Sequence, residues 1–102
     1  MSSNDPTDTA ATDAARSERV GKVRLAEQVE VEDVKWLMSS KRGRRIQHRL
    51  LDKAGIFRSS FNTNSMTMAF QEGCKNEGLR VLALIHEAAP DMYAVMLKEA
   101  KE

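Results

Sequence analysis

The chain reads as all-α: a small bundle of three to four helices with a disordered acidic N-terminal arm. Three observations predict this class. No stretch alternates apolar and polar residues in the way a half-buried strand does. From Glu32 onward, apolar residues recur at three- and four-residue intervals, the period of one helix face. Residues that start or stop helices (Ser40, Gly55, Asn64 and Pro90) fall between those periodic runs.

The elements follow in order. Residues 1 to about 18 are mostly Ser, Asn, Asp, Thr and Ala, with one Pro and no large apolar side chain after Met1. Such a segment has too little apolar surface to offset the entropy of ordering it. Residues 1–28 are therefore read as a flexible acidic arm, within which Ala10 to Ala15 can start a helix, and residues 29–102 as the helical domain. Val20 to Val31 fits a loose helix and an extended stretch equally, with Gly21 weakening the helix. A first helix is expected over about 32–38, with Val34, Leu37 and Met38 on one side and Trp36 flanking them. Ser40 is a good N-cap for a second helix over 41–54, whose apolar stripe is Ile46, Leu50 and Ala54, widened by Leu51. Gly55 ends it, and Ile56 and Phe57 fold the exit back on the core.

After the polar loop 59–65, Asn64 or Ser65 caps a long helix from Met66 to about Glu87. Its stripe is Met66, Phe70, Cys74, Val81, Leu82 and Ile85. Gly73 and Gly78 each cost about 1 kcal/mol relative to Ala inside a helix, so close helix–helix approach is the expected compensation. Ala89-Pro90 closes that element and opens a last helix, with Asp91 at its start, Lys98 and Lys101 at its end, and Met92, Tyr93, Met96 and Leu97 inward.

Charge is strongly segregated. Between Lys35 and Arg58, eight bases face one acid, Asp52, for a local charge of +7. The 34 residues before hold four bases and eight acids, and the 44 after hold four and six, so the net charge of +1 conceals the patch. On a helix, Arg42, Arg45, Arg49 and Lys53 form an i, i+3, i+4 row, and Arg44 and His48 lie on another line. Lys41, Arg42, Arg44, Arg45, Arg49, Lys53 and Arg58, with Trp36 as a hydrophobic anchor, are the candidate residues for binding a partner or phosphate. The bland reading of the same run is a solvated face whose Arg stems cover apolar edges.

Other chemistry finds little support. Cys74 is the single cysteine, which excludes an intrachain disulfide. His48 and His86 lack the close spacing of metal ligands, and Cys74 and His86 sit about 18 Å apart on one helix. No serine is framed as a nucleophile and no glycine run forms a phosphate loop. The expectation is no enzyme, no metal and no cofactor. The longest apolar stretches fall far short of the roughly 20 residues of a membrane span. At least three of Met38, Met66, Met68, Met92 and Met96 are expected in the core. So small a core favours a homo-oligomer or a place in a larger assembly.

The run KWLMSSKRGRRIQHRLLDKAGIFRSSF, the NTNS turn, a helix containing FQEGCKNEGLRVL and a closing PDMYAVMLKE resemble a family of short proteins of tailed bacteriophages, from the virion-structure gene region of short-tailed phages. The resemblance covers about Asp33 to Glu99 and carries no catalytic residue. It implies a phage setting and, taken with the missing catalytic motifs and the small core, leads to the expectation of a virion-associated or structural protein with a basic face, located in the virion and, during assembly, in the host cytoplasm. Other phage virion proteins or an acidic protein surface are then the partners, with nucleic acid as a further candidate and no membrane. The alternative expectation is a regulatory protein that binds a host enzyme or nucleic acid during infection.

Overall fold

The computed structural model describes residues 6–102, with side chains from residue 10. Among the described residues there are four α-helices and no strand: α1 (Pro6–Met38), α2 (Lys41–Ala54), α3 (Ser65–Ala88) and α4 (Pro90–Ala100). They fall into two compact units, Met1–Glu30 and Val31–Glu102.

In the first unit every residue from 10 to 29 is exposed. The expected disorder of the acidic arm falls partly on residues 1–5, outside the described residues; from Pro6 the chain is helical. Ala10, Ala11, Ala14 and Ala15 supply helix propensity, and Arg16–Asp13 and Lys22–Glu18 pair along the surface. The segment lies outside the core, as its composition requires, yet its local preference is still for helix. The two readings left open for Val20 to Val31 resolve to helix, Gly21 included.

The second unit has a core to which each helix contributes one fully buried side chain: Met38, Leu51, Ile85 and Met96. Val34, Ile56, Val81, Leu82, Met92, Tyr93 and Leu97 pack around them. Met38, Met92 and Met96 thus serve the core, where an unbranched thioether fills irregular space.

The helix ends behave as their residues dictate. The Ser40 hydroxyl accepts the Gly43 N–H at 3.0 Å, and the Asn64 side-chain oxygen accepts the Thr67 N–H at 2.9 Å. Gly55 adopts φ +84° and closes α2 with a paired motif: its N–H donates to the Asp52 carbonyl and that of Ile56 to the Leu51 carbonyl. Ile56 packs on the core as expected, while Phe57 stays partly exposed and stacks on His48 with ring centroids 5.3 Å apart.

Two apolar stripes differ from expectation. In α2 the buried line is Gly43, Gln47 and Leu51, whereas Ile46 and Leu50 are 40% and 56% exposed. The reason is Gly43: a Cβ there would run into the Leu37 backbone carbonyl, so only glycine lets α2 start this close to the end of α1. That approach points the 43–47–51 line inward and leaves Leu50 and Ile46 about 60° and 100° round the helix from it. In α3, Ile85, Val81 and Leu82 face the core, but Met66 and Phe70, in the first two turns, remain exposed. Of the two α3 glycines only Gly78 makes a close helix approach, with Ala54 and Ile56 against it; Gly73 faces open space.

Candidate binding face on the basic helix

The α2 register sorts the candidate basic residues by what each side chain meets. Arg44 and His48 lie beside the buried line and are half-buried. Arg44 is committed to the fold. Its Nε and one terminal nitrogen donate to the two carboxylate oxygens of Glu99 on α4, at 2.7 and 2.9 Å. Its other terminal nitrogen donates to the Met38 carbonyl at 2.9 Å, satisfying an orphan acceptor at the end of α1. The pair is largely shielded, with 12% and 18% of the side chains exposed. The hydrogen bonds from Arg44 hold the Glu99 carboxyl below the ordinary carboxylate range, and Glu99 raises the Arg44 pKa in turn. Arg44, expected among the partner-binding residues, is instead a clamp between α1, α2 and α4.

Lys41 is half-engaged: its ammonium sits 2.8 Å from Glu102, with both side chains more than half exposed. Arg58 is pinned too, donating to the Asp52 carbonyl at 3.1 Å while its own carbonyl accepts from Lys75. Arg45 contributes to the field on Glu99. With Arg49, His48 and Asp52 of α2 it lines an open groove between α2 and α4, which Glu99 and the following Glu102 also line. That groove carries both signs, and Glu99 and Glu102 in it are already paired with Arg44 and Lys41.

Arg42 and Lys53 lie outside that groove, and Arg49 lines it without pairing to any of its acids. All three are exposed and form no hydrogen bond or ion pair among the described residues. They lie about 120–160° from the buried line, on the same side as the exposed Ile46 and Leu50. The free face of α2 is thus a cationic row adjoining an apolar i, i+4 pair. Trp36, 75% exposed, stands one turn from the α1–α2 junction. Helix polarity strengthens the positive potential, since Lys41 and Arg42 occupy the first turn of α2, which holds no acid.

Sequence reasoning missed Glu99. A signal existed: an acid in the last turn of α4 and an arginine near the start of α2 each oppose their own helix dipole, and two such misfits suit one another as partners. Among the described residues, no three His, Cys, Asp or Glu side chains gather to hold a metal ion, and no helix is long and apolar enough to cross a membrane.

Fold and face together define a small all-α protein with a cationic helix presented from a four-residue core. Residues 34–98 match the model of the Bbp19-like phage protein family, and the chain belongs to that family. No curated protein and no solved structure matches it.

Proposed function

We propose that this chain is a virion-associated structural protein of the phage, a small helical binding module that docks through the outward face of α2 on an acidic surface of another virion protein. The observation that carries the reading is the α2 face: Arg42, Arg49 and Lys53 without a partner among the described residues, beside Ile46 and Leu50 left out of the core. Cations alone would suit a phosphate backbone equally well. The adjoining apolar pair favours a protein, because docking against a protein surface rewards apolar burial and a phosphate backbone does not. Membership of a phage family supports the setting, and the sequence resemblance to proteins of the virion-structure region of short-tailed phages favours placement in the particle. Its location is then the virion, after assembly in the host cytoplasm.

The test is mass spectrometry of purified particles. The protein should be recovered at a constant ratio to a known structural component, and raising the salt of the wash should release it progressively. Consistent absence from particles, with capture of a host enzyme from infected lysate, would instead select the regulatory reading.

A further inference from the structure

At the C-terminal end of α2 the cationic row runs into a cleft of about 450 Å³, closed on its far side by the first turns of α3. Lys53, Arg58, Ser59, Ser60, Phe70 and Cys74 line it. We propose that this cleft receives one large apolar side chain of an acidic peptide segment on the partner, with the flanking acids of that segment meeting Lys53 and Arg58. The proposal rests on the reading of the α2 face given above and adds the chemistry of what docks there.

Four features of the cleft point to this occupant. No carboxylate lines it, in contrast to the α2–α4 groove, where Asp52, Glu99 and Glu102 answer the bases. The two cations are therefore uncompensated toward the cleft, and an acidic ligand is their electrostatic complement. The Arg58 guanidinium is also held in place before any ligand arrives. It donates to the Asp52 carbonyl, while the Lys75 ammonium fixes the Arg58 carbonyl at 3.2 Å. The Asp52 hydrogen bond already biases the side chain toward this position, which reduces what ordering it costs on binding.

Phe70 supplies the apolar element. It is 73% exposed although it lines the cleft, and Met66, one turn earlier on the same side of α3, is 82% exposed. The Phe70 ring, left out of so small a core, is the apolar wall of the cleft, and Met66 lies outside its lining. The volume lies near the lower end of the roughly 300–1,000 Å³ of ligand pockets, enough for one aromatic or branched side chain with its flanking backbone. Lys53 and Arg58 in the cleft, with Arg42 and Arg49 further along the row beside apolar side chains, track an acidic peptide better than the regular phosphates of a nucleic acid.

The experiment titrates the full ¹⁵N-labelled chain with the synthetic peptide acetyl-Asp-Glu-Asp-Glu-Phe-Glu-Asp-Glu-amide and with its Phe→Ala counterpart, following amide shifts. The Phe peptide should move the amides of residues 53–60 and 70–74 and bind about tenfold or more tightly than the Ala peptide. Phe70→Ala should erase that difference while leaving the spectrum of the free chain otherwise unchanged. Equal affinity for both peptides, or shifts confined to the α2–α4 groove, would overturn the cleft. If Arg42→Ser/Arg49→Ser weakens both peptides while Phe70→Ala changes nothing, the cleft falls and the α2 face stands. If Phe70→Ala removes the Phe preference but Arg42→Ser/Arg49→Ser leaves affinity intact, the cleft stands and the wider face falls. Tighter binding of an oligothymidylate at the same amides would overturn the peptide in favour of single-stranded nucleic acid. Concentration-dependent self-association abolished by Phe70→Ala would make a second copy the occupant, which likewise overturns the proposal.

Discussion

Arg44 and Glu99, 55 residues apart in sequence, meet through two parallel hydrogen bonds that fasten the start of α2 to the end of α4. The most arginine-rich stretch of the chain thus gives one of its arginines to the architecture. A planar guanidinium matches a carboxylate in two places at once, so lysine could not replace it at equal strength.

The pair makes stability depend on pH in a defined direction. The carboxyl of Glu99 is held below its ordinary range by the Arg44 hydrogen bonds. Its contribution is therefore fully present above the ordinary glutamate pKa and is lost as pH falls through the depressed value. Glu99→Gln should lower the melting temperature at pH 7, and the gap to wild type should hold down to about pH 5 and close below about pH 4. Thermal melts across that range check it; a gap that widens on acidification would contradict the assignment.

The glycines separate into two kinds that substitution by Ala should distinguish. Gly73→Ala meets nothing within 4 Å and should stabilise by about 0.5–1 kcal/mol through helix propensity. Gly78→Ala places a methyl 2.6 Å from the Ile56 side chain and 2.8 Å from that of Ala54, and should destabilise by about 1–3 kcal/mol. Gly43→Ala should be worse than either, since the obstacle is the backbone carbonyl of Leu37, which cannot rotate away. Denaturant midpoints at unchanged slope give all three values.

The basic residues divide the same way. Arg42→Ser/Arg45→Ser/Arg49→Ser should retain the far-ultraviolet circular dichroism of wild type, because exposed side chains usually contribute within about 0.5 kcal/mol. Binding to an acidic protein partner should suffer mainly in association rate at low salt. Were DNA the partner, the salt dependence would instead flatten by about one unit per lost phosphate contact. Arg44→Ser should show the opposite pattern, with reduced stability and little specific loss of binding in the protein that remains folded.

Trp36 reports directly on docking, being the one tryptophan and 75% exposed. Free protein should emit like indole in water and be quenched efficiently by iodide. A partner that covers the α1–α2 junction should shift the emission to shorter wavelength and protect it. Unchanged quenching in a saturated complex would place the interface elsewhere.

Much of the fold was legible because local chemistry determined it. Ser40, Gly55, Asn64 and Pro90 each sit where their side chain or ring solves a problem of helix termination, and none needs a distant residue to do so. The inward face of α4 was readable for the same reason: Met92, Tyr93, Met96 and Leu97 are the large apolar residues on one side of a short helix. The rotation of α2 was not legible. Periodicity offered Ile46 and Leu50 as the core stripe, and the decisive influence is a backbone contact between Gly43 and Leu37, which leaves no mark in hydrophobic pattern. The candidate site was legible as a charge run but not as a set of roles. Whether an arginine serves the fold or faces solvent depends on which acids α4 brings alongside, a pairing across more than fifty residues.

The exposed stretch of α1 has a kinetic consequence. Residues 10–29 bury no side chain, so their backbone hydrogen bonds are protected only by the helix–coil equilibrium of the segment itself. Amide hydrogens there exchange with solvent through local opening, at rates indifferent to denaturants too dilute to unfold the core. Those around Ile85 and Met96 await disruption of the core. One continuous helix therefore has two clocks: a fast one along its first turns and, near Met38, one set by the global unfolding of the bundle.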